Sequence, residues 1–94
     1  MRIVSFRHKD VERLWQRDEA RGVARQHEAK LRAMLTALEE SEDVAELKTI
    51  PGWRLHPLRG NRKGVWSLTV TRNYRLTFRI EDQMISEIDF EDYH

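Results

Sequence analysis

Ninety-four residues without a cysteine, 39% hydrophobic and 35% charged with a net charge of +1, describe one soluble domain able to bury a single modest core. They exclude disulfides and thiolate metal sites, and no stretch approaches the ~18 apolar residues of a membrane span. The opening MRIVSFRHKD is too short and too charged for a secretory signal, so a cytoplasmic location with no membrane association is expected.

RIVSF (2–6) is short and β-favouring and reads as a first strand, with Ile3 on one face and Val4 and Phe6 on the other. In HKDVERLWQRDEA, Val11, Leu14 and Trp15 fall at i, i+3 and i+4, one apolar stripe of a helix. Gly22 interrupts that pattern and separates it from a second helix. There Ala24, His27, Leu31, Met34, Leu35 and Leu38 share one face, and Arg, Lys and Glu fill the other. Ser41, with Glu42 and Asp43 behind it, reads as the cap of a short third helix over 42–48. Pro51-Gly52 ends the helical half.

From residue 53 the period becomes two. Strands are expected over 53–58, 64–70, 73–80 and 84–93. RGNRKG, TRN and EDQ join the last four as antiparallel hairpins. The expected fold is α+β, an N-terminal strand and two to three helices packed on one face of an antiparallel sheet. The other face is polar, with Ser67, Thr69, Arg75, Thr77 and Arg79, joined by Glu87 and Asp89 where the last strand pairs.

Charge is distributed unevenly along this half. Residues 53–79 hold seven Lys/Arg and no acid, whereas residues 80–94 hold six Asp/Glu and no Lys or Arg. Such a basic block suits a phosphate backbone. Its structural alternative is pairing of these arginines across the sheet with the acidic last strand, at ~0.2–1 kcal/mol per pair.

The four histidines divide into two kinds. His27, on the apolar stripe, suits packing, and His8, where strand meets helix, suits capping. His56 precedes Pro57, which holds an extended backbone, and lies beside the basic turn. His94 follows Asp92 and Tyr93 at the last position, where disorder is the ordinary expectation. No histidine spacing suggests a metal site.

Should His56 and His94 converge on RNA, the chemistry is defined. The 2′-hydroxyl attacks the adjacent phosphorus while a base takes its proton. An acid protonates the leaving 5′ oxygen, and cations stabilise the added charge. An imidazole with an unperturbed pKa near ~6.5 can fill either role.

RLHPLRGNRKGVWSLTVTRNYRLTFRIED followed by IDFEDYH resembles the HigB group of the RelE-like toxins, and the helical half opening SFRHKDVERLW resembles the same group. The likeness covers nearly the whole chain as one toxin domain. It implies a microbial ribonuclease-like fold. It also implies a metal- and cofactor-free endoribonuclease that cleaves mRNA in the ribosomal (30S) A site. The implied partner is a HigA-like helix-turn-helix antitoxin, with operator DNA bound only through the complex.

By position, His56 falls on the group's active-site histidine, and Asp92, Tyr93 and His94 on its C-terminal catalytic cluster. Arg59 stands where a lysine is often found, and Arg75 matches the arginine after the aromatic. On that resemblance His56 and His94 share acid–base work, with Asp92 tuning His94 and Tyr93 stacking on a base. Arg59, Arg62, Lys63 and Arg75 would hold phosphates. Two other readings fit such a chain: a ParE-like gyrase poison of the same fold, and a non-catalytic RNA- or protein-binding module.

Overall fold

A period of 3.6 in the first half and 2.0 in the second resolves into two layers in the computed structural model, which describes residues 1–93. The described elements are β1 (Arg2–Ile3), α1 (Lys9–Arg17), α2 (Arg25–Glu40), α3 (Val44–Leu47), β2 (His56–Pro57), β3 (Val65–Thr69), β4 (Tyr74–Glu81) and β5 (Met84–Asp92). A 3-10 turn (Gly60–Arg62) lies between β2 and β3. The sheet order is β1-β5-β4-β3-β2. Strands β2 to β5 are antiparallel, and β1 joins β5 in parallel. The expected α+β architecture therefore holds, with a parallel edge that short-range hairpin logic does not foresee.

The stripes of α1 and α2 fill the layer between helices and sheet. Val11, Leu14, Leu31, Met34, Leu35 and Leu38 are buried against Leu68, Leu76, Phe78, Ile85 and Ile88. His27 packs in this layer beside Tyr74 and Phe90, with ring centroids 4.9 and 5.2 Å away. His8 caps α1, its Nδ1 accepting the Val11 N–H at 3.3 Å. Gly22, at φ +89°, turns the chain where a Cβ would run into the Asp10 carboxylate.

Several boundaries differ from the sequence reading for local reasons. Ala24 is an exposed N-cap rather than part of the buried stripe. Ser41 closes α2, its hydroxyl donating to the Ala37 carbonyl at 2.6 Å. Asp43 caps α3 instead, in a capping box with Glu46.

The strand expected over 53–58 shrinks to β2 because Arg54 adopts a left-handed backbone, φ 48°. Ladder bonds survive on both sides of that kink, from Thr69 N–H to the Trp53 carbonyl at 2.7 Å and from Leu58 N–H to the Val65 carbonyl at 2.8 Å.

A bulge in β5 matters most for the polar face. Thr77 pairs with Asp89 and Arg79 with Ser86, so β5 carries one extra residue there. Glu87 takes φ 53°, and its N–H is satisfied by the Ser5 hydroxyl at 2.9 Å. The extra residue reverses the alternation, so that Ile85 and Ile88, three apart, both face the core.

Candidate functional site

Strand alternation places Ser67, Thr69, Arg75, Thr77, Asp89 and Glu91 on the sheet face away from the helices. This face is not bare. Ser67 and Thr77 are each 1% exposed, because long charged side chains lie across them.

Glu91 organises those side chains. Arg62, at the end of the 3-10 turn, donates from Nη1 to Oε1 and from Nη2 to Oε2, each at 2.6 Å. The Thr77 hydroxyl donates to the same carboxylate, and Arg75 Nη2 stands 3.6 Å from Oε1. The forked bond from Arg62, with the Thr77 hydroxyl and Arg75 beside it, lowers the Glu91 carboxyl to about 2. Farther along, Arg79 Nε meets Glu87 at 3.1 Å. A cavity of about 210 Å³ between these groups sets Arg7, Arg62 and Arg79 against Glu87 and Asp89, so its charge is largely balanced internally. Pairing across the sheet is thus the state of Arg62, Arg75 and Arg79.

His56 lies on the same face. Its Cα partner is Ser67, whose partner is Thr77, whose partner is Asp89, giving one row across four strands. The ring is exposed, and Nδ1 lies 2.8 Å from the Arg54 carbonyl oxygen. A carbonyl can only accept, so Nδ1 carries the proton and the neutral ring keeps its lone pair on Nε2. The left-handed turn at Arg54 is what aims that carbonyl back at the ring. Nδ1 of His56 is therefore engaged by its own loop, which leaves Nε2 as the remaining ring nitrogen.

At the β3–β4 hairpin end the described residues of one groove carry charge of a single sign. An open groove of about 550 Å³ is lined by Lys30, Gly52, Arg54, Thr69, Val70, Thr71, Arg72 and Tyr93. None of these is acidic. Among the described residues, Lys30, Arg54 and Arg72 form no ion pair. Tyr93 is 41% exposed, its N–H bonded to the Asn73 carbonyl at 3.1 Å, with the Arg75 guanidinium 4.9 Å from its ring centroid.

The sequence-derived candidates therefore fall into distinct groups. Arg62, Arg75 and Tyr93 are brought together through Glu91. Arg59 and Lys63 flank the 3-10 turn, exposed and without an ion pair among the described residues. Asp92 is exposed at the end of β5, on the opposite side of the strand from Glu91 and Tyr93, beside Tyr74. His94 lies outside the described residues. His56 stands on β2, three inter-strand steps from β5, roughly 14 Å at ~4.8 Å per step. Among the described residues no cluster of three or more His, Asp or Glu is arranged to hold a metal ion.

Four contributors escaped the sequence reading as site residues. Glu91 was one acid among six, and nothing local marks it as the hub. Arg54 and Arg72 stood inside the acid-free run without being singled out. Lys30 had no signal, because it arrives from the polar side of α2.

Comparison with known proteins bears on this arrangement. The family model described as the RelE-like toxin of the type II toxin-antitoxin system HigB matches residues 4–94. Endoribonuclease HigB of Proteus vulgaris is 35% identical over 92 residues, 98% of this chain and 99% of that protein. Among solved structures, YafQ from E. coli strain BL21(DE3) superposes with a TM-score of 0.60 at 20% identity, covering 98% of this chain and 93% of that one. The YoeB/ParE toxin from Agrobacterium tumefaciens gives 0.63 at 20% identity over the whole of both chains. The toxin of the E. coli DinJ-YafQ toxin-antitoxin complex gives 0.60 at 20%, covering 96% and 89%. At these identities the structural likeness is one of fold.

Proposed function

The chain belongs to the HigB-like group of RelE-like toxins, and from that membership we propose that it is an endoribonuclease that cleaves mRNA in the ribosomal A site. The cut proceeds by attack of the 2′-hydroxyl on the adjacent phosphorus, without a metal. A HigA-like helix-turn-helix antitoxin neutralises it; that a chain of the same fold occurs in the E. coli DinJ-YafQ toxin-antitoxin complex supports an antitoxin as partner.

The observation that carries this reading is His56. An exposed imidazole whose Nδ1–H is held by the Arg54 carbonyl presents Nε2 as a general base for the 2′ proton. His94 protonates the 5′ leaving oxygen, and Asp92 tunes it. Tyr93 stacks on an unpaired base. Arg59 and Lys63 meet RNA phosphates directly, and Arg62 and Arg75 do so from their places beside Glu91. With His56 and β5 set apart by two intervening strands, the protein alone is expected to cut naked RNA poorly, because the ribosome has to hold the mRNA for in-line attack.

The test is 5′-end mapping of a defined mRNA on programmed ribosomes with wild-type protein, His56→Ala and His94→Ala. Cleavage at an A-site position by the wild type, lost in both variants while ribosome binding persists, is the expected result. No cleavage by the wild type overturns the reading, and inhibition of DNA supercoiling by gyrase is then the assay for a ParE-like poison.

A further inference from the structure

The cations of this protein are sorted by the fold. On the sheet face Arg62, Arg75 and Arg79 already have carboxylate partners. In the groove at the hairpin end Lys30, Arg54 and Arg72 converge from α2 and two loops with no acid among the described lining residues. Burial does not force this collection, since Arg54 and Arg72 are exposed and Lys30 is half-buried. Three cations with no ion pair among the described residues share one concave surface, where they repel one another and favour an anion between them. Two hydroxyl residues, Thr69 and Thr71, line the same surface, and Tyr93 forms part of its wall. The Tyr93 ring has Arg75 against it on one side and substantial exposure besides.

A wall aromatic beside clustered cations is the arrangement that takes one base and one backbone phosphate of a single strand. A volume of about 550 Å³ falls within the usual range for small-molecule and nucleotide sites, ~300–1,000 Å³. The groove also adjoins the proposed base, because Arg54 both lines it and holds the His56 ring through its carbonyl.

We infer that this groove is a nucleotide subsite for the single-stranded RNA: Tyr93 stacks on one base, and Lys30, Arg54 and Arg72 hold the neighbouring phosphate. The inference rests on RNA being the substrate. It adds Lys30, on α2 and outside the basic segment, to the residues that bind it.

The experiment measures binding of the full-length chain to a fluorescent eight-nucleotide RNA, 2′-O-methylated throughout so that it cannot be cut. Fluorescence anisotropy is read across a salt series. Lys30→Gln/Arg72→Gln is compared with Lys9→Gln/Lys48→Gln, which lowers net charge equally outside the groove. For single strands each neutralised phosphate contributes ~0.7 to the slope of log affinity against log salt. With one phosphate held there, the groove variant is expected to lower the slope by up to about 0.7 and to weaken low-salt binding roughly tenfold, with the control close to wild type.

Tyr93→Leu is expected to weaken binding of this probe and to leave an abasic probe of equal length unaffected. Equal behaviour of groove and control variants overturns the inference, as does absence of binding by the wild type. A groove-specific loss confined to duplex RNA overturns it in favour of docking on structured ribosomal RNA.

The mapping assay above separates the two proposals. Wild-type cleavage with an unchanged salt slope in the groove variant defeats the subsite alone. A reduced slope without wild-type cleavage defeats the nuclease reading and leaves an RNA-binding groove.

Discussion

Glu91→Gln is the substitution that asks most of this structure. The folded state holds the carboxyl at about 2 against an ordinary value of 4.5, and each tenfold change in proton affinity is worth about 1.4 kcal/mol. The ionised side chain therefore contributes about 3 kcal/mol at neutral pH. The Arg62 partner is 35% exposed, and screening by water and salt brings the figure to about 2 kcal/mol.

The sign follows from a depressed carboxyl. The contribution is complete above the unfolded-state value of 4.5 and is lost as pH falls from there toward 2. Glutamine has nearly the same shape and no charge, so the variant lacks this pH-dependent component and leaves the Arg62 fork without its bidentate partner. Urea unfolding from pH 7 down to pH 2 should show the variant about 2 kcal/mol less stable at neutral pH. The two curves should approach each other through the acid range. At this size that deficit corresponds to a melting-temperature drop of roughly 8–16 °C. A deficit below about 0.5 kcal/mol at pH 7, or one that stays constant to pH 2, would refute the assignment of Glu91 as the hub.

Three further predictions come from other parts of the molecule. Thr77→Val removes the hydroxyl that donates to Glu91 and should cost about 1.5–3 kcal/mol in denaturant unfolding, the range for a hydrogen bond to a charged group. Asp82 and Gln83 both have positive φ in the β4–β5 turn, 51° and 66°. Gln83→Gly should therefore raise stability by up to about 1 kcal/mol, read as a higher melting temperature. Phe78 is the largest fully buried side chain, and Phe78→Ala should cost about 3–5 kcal/mol. Against a typical total of about 5–15 kcal/mol, that variant should show a markedly lower denaturant midpoint.

Much of this protein was determined by local pattern, and the reason is that burial follows periodicity. The α2 stripe from Leu31 to Leu38 had no other way to hide its leucines. The alternation through β3 and β4 likewise set which side chains face the helices. The quoted basic and C-terminal motifs named the family, and His56 was legible because it stands in one of them, ahead of a proline.

What tertiary structure decided lies where two distant segments meet. The parallel pairing of β1 with β5 and the bulge at Glu87 depend on residues about 80 positions apart, which no local period records. The bulge alone decides that Ile85 faces inward. The sorting of cations into paired and unpaired sets has the same origin. Arg62 and Glu91 are 29 residues apart, and only the folded turn lays one over the other. Lys30 looked like an ordinary solvated helix residue until packing of α2 brought it to the hairpin end. Coulomb interactions between side chains depend on distance in space, so composition could locate the basic block but could not say which of its arginines were already engaged.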